Sequence, residues 1–138
     1  MKFVRRLAVS AAIVVGAALA QGATASAESI VPFQINPAPY GNPNGSFDAP
    51  AGTCVAVTGG QPGAVTITGG KEGRWGCFVA ADVRWVNLST GASGAARMSD
   101  GLFGFPPEAI LQTGPGQVAV VIIGGGINTA GLATFSVS

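Results

Sequence analysis

Beyond residue 27, glycine or proline interrupts every apolar run of this chain, and that punctuation governs what it can fold into. Gly59-Gly60-Gln61-Pro62-Gly63, Gly69-Gly70-Lys71-Glu72-Gly73, Ser89-Thr90-Gly91 and Gly124-Gly125-Gly126 stand between short, largely apolar or β-branched segments. A glycine costs a helix about 1 kcal/mol, and no window here keeps a 3.6-residue period without one. Strands spaced about 8–12 residues apart, with turn signals between them, predict an all-β sandwich or barrel.

The runs place strands at residues 54–58, 64–68, 75–79, 82–88, 92–98, 110–113, 117–123 and 132–137. Residues 30–35 alternate well enough for an edge strand, where Pro32 is tolerated because its missing N–H faces solvent. Residues 36–52 are too rich in Pro, Gly and Asn for a regular element, and read as a long loop or ordered arm with Tyr40 and Phe47 embedded. Residues 108–111 offer at most one helical turn. In the strand at 82–88, Val83 and Trp85 share one face and Asp82 and Arg84 the other. Residues 118–123 are apolar on both faces, which fits either a central strand with the 30–52 arm folded over it or a subunit interface.

Cys54 and Cys77 are the only cysteines. In an exported chain they predict one disulfide, which would constrain the unfolded state by about 3 kcal/mol. A redox-active pair would call for C-x-x-C spacing, which is absent.

Export is what the amino terminus predicts. Lys2, Arg5 and Arg6 precede an uncharged apolar run from Leu7 to Ala20 and then Ala25-Ser26-Ala27, the pattern of a cleavable secretory signal. The run is short for a bilayer crossing of about 20 residues. The expected product begins at Glu28, is secreted or associated with the cell wall, and has no stable membrane insertion once the signal is gone. It divides into an edge strand and arm (28–52) and a β-sandwich body (53–138), packed as one domain.

Without the signal, Lys71, Arg74, Arg84 and Arg97 face Glu28, Asp48, Glu72, Asp82, Asp100 and Glu108, a small acidic excess. No basic cluster is available to neutralise nucleic-acid phosphates. The chain has no histidine, so Ser-His-Asp and Cys-His systems and histidine-ligated zinc are outside its reach. The glycine runs lack the Lys-Ser/Thr ending of a phosphate-binding loop, and no calcium-loop pattern occurs. A carboxylate pair is the one catalytic device left, and nothing in the sequence brings two carboxylates together. The expectation is a protein that is not an enzyme and carries no metal or other cofactor.

Two resemblances bear on the fold. A cysteine pair with Trp85 nearby resembles immunoglobulin-like sandwiches, in which a strand tryptophan packs near a disulfide; there the cysteines bracket the tryptophan, whereas here both precede it. The resemblance implies an immunoglobulin-like antiparallel β-sandwich without true immunoglobulin topology. In addition, Trp75-Gly76-Cys77, Val83-Arg84-Trp85-Val86-Asn87-Leu88-Ser89-Thr90-Gly91 and Phe105-Pro106-Pro107-Glu108-Ala109 together resemble a group of small exported actinobacterial proteins. That group combines a signal peptide, one disulfide and a β-sandwich; it has no assigned biochemical role, so it implies fold and export alone.

The candidate working surface is Gly101-Leu102-Phe103-Gly104-Phe105-Pro106-Pro107. Phe103 and Phe105 either plug one end of the sandwich or are displayed as anchors for a partner. Tyr40 and Phe47 present the same choice. Asn87-Leu88-Ser89 is formally a glycosylation sequon and reads here as strand. Three functions follow in order: a binding or structural module of the envelope, with an unknown protein or envelope component as partner and possible homo-oligomerisation; a secreted inhibitor or effector presenting a loop; and a hydrolase working with carboxylates alone.

Overall fold

Short β-branched runs capped by glycine become strands because the pleat accommodates their branching and the glycines supply the turns between them. The computed structural model describes residues 27–42, 44–47 and 49–138, so the expected signal lies outside the described residues except for Ala27. The strands are β1 (Ser29–Pro32), β2 (Ala38–Pro39), β3 (Cys54–Thr58), β4 (Ala64–Gly69), β5 (Asp82–Asn87), β6 (Ser93–Arg97), β7 (Glu108–Gln112), β8 (Gly116–Ile123), β9 (Asn128–Thr129) and β10 (Gly131–Val137). One sheet has the order β1-β3-β4-β7, the other β10-β8-β5-β6, and β2 pairs with β9 in a short third ladder. Every pairing is antiparallel.

The two larger sheets pack face to face as an all-β sandwich. Ala56, Val65, Ile67 and Leu111 from the first meet Val83, Val118, Val120, Ile122 and Phe135 from the second in one buried cluster. Along β10, buried and more exposed residues alternate to the chain's end, as a half-buried strand requires. Trp85 on β5 lies over Gly94 of β6, where a Cβ would come within 2.6 Å of the indole ring. The topology departs from the true immunoglobulin order because β3 and β4 form a hairpin inside one sheet; immunoglobulin domains send the second and third strands to different sheets.

Five local expectations are corrected. Residues 75–79 are not a strand: a 3-10 turn at Glu72–Arg74 precedes them, and the positive φ of Arg74 (71°), Gly76 (105°) and Ala80 (50°) excludes a continuous extended run. This path carries Cys77 to Cys54 and lets Thr53 donate its N–H to the Gly76 carbonyl. Residues 30–35 are not one edge strand either. The pairing of β1 with β3 ends just past Pro32, with the Phe33 N–H on the Cys54 carbonyl; Phe33 turns into the core, and Ile35 bridges Leu132 on β10 of the other sheet.

The arm is not purely irregular, since Pro37 and Ala38 are buried and Ala38–Pro39 pairs with Asn128–Thr129. Nor does the start of the arm fold over β8: Gln34 exchanges hydrogen bonds with the backbone of Thr134, which holds it along the free edge of β10. The outer residue Val121 of β8 has Leu132 and Arg84 as its cross-strand neighbours instead. Finally, residues 108–111 belong to β7, with Ala109 and Leu111 buried and Glu108 and Ile110 exposed.

Candidate functional site

The strand registers gather four connections at one end of the sandwich. Cys54 lies opposite Gly69, Thr68 opposite Glu108, and Asp82 opposite both Arg97 and Ile123. The segments 40–53, 70–81, 98–107 and 124–127 therefore emerge together.

This end is built on fixed stems. Cys54 and Cys77 form a disulfide with their Cα atoms 4.6 Å apart. The buried Thr68 hydroxyl lies 3.0 Å from the carbonyl oxygen of Pro107 and 3.2 Å from that of Arg74, joining two of the connections. Ser99 and Glu108 clamp the stem of the third: Ser99 N–H donates to the Glu108 carbonyl at 2.9 Å, and Glu108 N–H to Ser99 Oγ at 3.0 Å. The fourth is held by Asn128, whose Nδ2 donates to the carbonyls of Gly124 and Gly126, each at 2.8 Å.

Phe78 closes the core at this end. Its half-buried ring packs where a Cβ on Gly124 would lie 3.0 Å away and one on Gly52 3.2 Å away. With Phe78 in that place, Phe103 and Phe105 are not plugs: they are 93% and 73% exposed, and Leu102 beside them is also exposed. Tyr40 is 79% exposed and Phe47 fully so. All four aromatics singled out from the sequence are thus displayed.

One of them, Tyr40, lines a cleft. This cleft, of about 570 Å³, opens between Tyr40, Phe78, Val79 and Ile127. Val79 continues the apolar surface, since Gly101 sits so close that a Cβ there would be 3.0 Å from Val79 Cγ1 and 3.7 Å from the Trp75 ring. Gly101 leads into Leu102, Phe103 and Phe105. Phe47 shares the loop with Tyr40 and does not line the cleft. Sequence reasoning missed Phe78, Val79 and Ile127. Ile127 carried a usable signal, because a lone isoleucine between a glycine run and Asn128 has no strand to bring it into the core.

Tyr40 and Phe103 share an unusual backbone setting. Tyr40-Gly41 has φ values of 57° and 68°, and Asn42 N–H closes the turn onto the Pro39 carbonyl at 3.2 Å. Phe103-Gly104 has 59° and 79°, and Phe105 N–H closes onto the Leu102 carbonyl at 3.2 Å. Positive φ at both central residues is the type I′ arrangement, which favours Asn-Gly. A bulky aromatic at the first central position costs about 1 kcal/mol relative to a residue suited to that conformation. The Phe103→Asn variant is therefore expected to melt a few degrees above the parent chain, by about 0.5–1 kcal/mol. Thermal denaturation followed by circular dichroism checks this; a lower melting point would mean that Phe103 packs.

No carboxylate lines the cleft. Asp82 pairs with Arg97 at 2.9 Å on the exposed sheet face, Glu28 lies 3.9 Å from Arg74, and Asp100 Oδ1 accepts the Leu102 N–H at 3.2 Å. Asp48 lies outside the described residues. Among the described residues, no three of His, Cys, Asp and Glu come together as a metal site would require, and no helix is long and apolar enough to cross a membrane.

Comparison with known proteins assigns no family: no protein-family model matches the chain, and no curated protein or solved structure matches it.

Proposed function

We propose that this chain is an exported binding or structural module, without catalysis of its own, whose contact surface is the loop end of the sandwich. The observation that carries the reading is the pair of aromatic–glycine turns, which hold Tyr40 and Phe103 in solvent at positive φ. Folding alone favours neither feature. Exposed tyrosine and phenylalanine on rigid stems suit the anchor role, because two χ angles are all that is immobilised on contact. Around them, Val79, Leu102, Phe105 and Ile127 are further exposed apolar side chains at the same end, and such clustering marks interaction sites.

Export rests on the signal read in residues 1–27, and the disulfide fits an oxidising compartment such as the cell exterior or wall. The absence of a basic cluster argues against nucleic acid as a partner.

The test is the double variant Tyr40→Asn/Phe103→Asn, which keeps both turns while deleting both anchors. Its association with surface fractions of the native host is expected to fall at least tenfold, with melting unchanged or raised. Undiminished association would overturn the reading.

One feature favours the inhibitor reading as second choice: the Ser99–Glu108 clamp makes residues 100–107 a loop with pinned ends. In that case limited proteolysis would cut slowly and at a single bond within this loop.

A further inference from the structure

We infer that the loop end docks on an uncharged lipid surface, with Tyr40, Leu102, Phe103, Phe105 and Ile127 entering the boundary between headgroups and acyl chains; this rests on the loop end being the contact surface.

Three observations point to lipid rather than to a protein groove. The apolar side chains are spread over separate connections and stand far out: Phe103 is 93% exposed, Ile127 80% and Tyr40 79%. A fluid planar surface receives several separate protrusions at once, whereas a groove that receives one must be shaped around the others.

The segments that carry these five side chains are free of charge, whereas the neighbouring 70–81 connection at the same end carries Lys71, Glu72 and Arg74. Residues 36–42, 101–107 and 124–130 contain no Asp, Glu, Lys or Arg. Asp100 stands at the stem of one loop with its carboxylate turned to the Leu102 N–H. Small acidic excess and uncharged tips together disfavour attraction to anionic lipid and leave apolar transfer as the driving force.

The third observation separates lipid from water most sharply. Backbone polar groups entering an apolar medium need partners of their own. At these tips many have them: the Pro39 and Leu102 carbonyls accept turn hydrogen bonds, Ile127 O accepts from Tyr40 N–H at 2.9 Å, and Asn128 satisfies the Gly124 and Gly126 carbonyls. Pro39, Pro106 and Pro107 bring no N–H at all. Tyr40 and the partly exposed Trp75 are the amphipathic rings that favour the interface itself.

The experiment is flotation of the chain from residue 28 onward with phosphatidylcholine vesicles. The chain is expected to float with the vesicles, with no loss in about 0.5 M salt and no gain when anionic phosphatidylglycerol is added. Phe103→Ser and Phe105→Ser should each lower partitioning about tenfold. Leu88→Ser, which removes an exposed apolar side chain at the opposite end, should leave it unchanged. Failure to float at millimolar lipid, flotation only with anionic lipid, or equal loss in Leu88→Ser would each overturn the inference. If the chain does not float while the double variant still loses its association with host surface fractions, the contact surface stands and its partner is a protein or glycan. If the double variant loses nothing, both readings fall.

Discussion

Replacing Cys54 and Cys77 with alanine, or reducing them, is expected to lower the melting temperature by about 10–20 °C. Loop-closure entropy for a separation of 23 residues accounts for about 3 kcal/mol, a large share of a small domain's stability. The position of the bond makes the effect local as well as global. Cys77 sits in a connection without strand pairing, bent by the positive φ of Arg74, Gly76 and Ala80, and held by the disulfide, the Thr53–Gly76, Lys71–Trp75 and Ala80–Ser99 backbone hydrogen bonds and Thr68. Releasing it frees Phe78 from the end of the core and uncouples Val79 from the cleft. Thermal unfolding with and without reductant checks this, and an unchanged melting point would contradict the role given to the bond.

Asn87→Ala is expected to cost about 2–4 kcal/mol, read as a lower denaturant midpoint at constant slope. Asn87 is fully buried at the end of β5, and its amide is wholly engaged. Nδ2 donates to the carbonyls of Thr113 and Pro115 at 3.0 and 2.9 Å, while Oδ1 accepts the N–H groups of Ser89 and Thr90 at 3.0 and 3.1 Å. One side chain thereby joins the β5–β6 turn to the β7–β8 turn at the end opposite the disulfide. Alanine would leave the buried Thr113 carbonyl, and the part-buried Pro115 carbonyl and Ser89 and Thr90 N–H groups, without this partner, the costly form of hydrogen-bond loss. The sequon formed with Ser89 is therefore a structural device. A loss below 1 kcal/mol would show that water replaces the amide.

Most of the sandwich was legible because period-2 alternation between glycine-bounded turns is a local signal. The runs at β4, β5 and β10 carry it plainly, those at β3, β6 and β8 were marked by the turn residues that bound them, and the strands fall within a residue or two of all six. What was not legible depends on distant parts of the chain. Trp75-Gly76-Cys77-Phe78-Val79 has strand-like composition, but a disulfide to β3 and left-handed backbone on either side determine its path. The passage of residues 29–35 from one sheet to the other is invisible locally, because it requires both β3 and β10 to be in place.

The site divides the same way. Phe103, Phe105, Tyr40 and Phe47 could be picked out as aromatics in loops too rich in glycine and proline to bury them easily. Whether they plug or protrude depended on Phe78, whose burial follows from the disulfide beside it. Val79 and Ile127 complete the surface only through the strand registers that gather the four connections.

The most direct measurement is photocross-linking in the native setting, with a photoreactive phenylalanine analogue at position 103 or at position 90, on the β5–β6 turn of the opposite end. The account predicts abundant adducts from 103 and few from 90. Equal yields from the two ends, or adducts confined to 90, would contradict it.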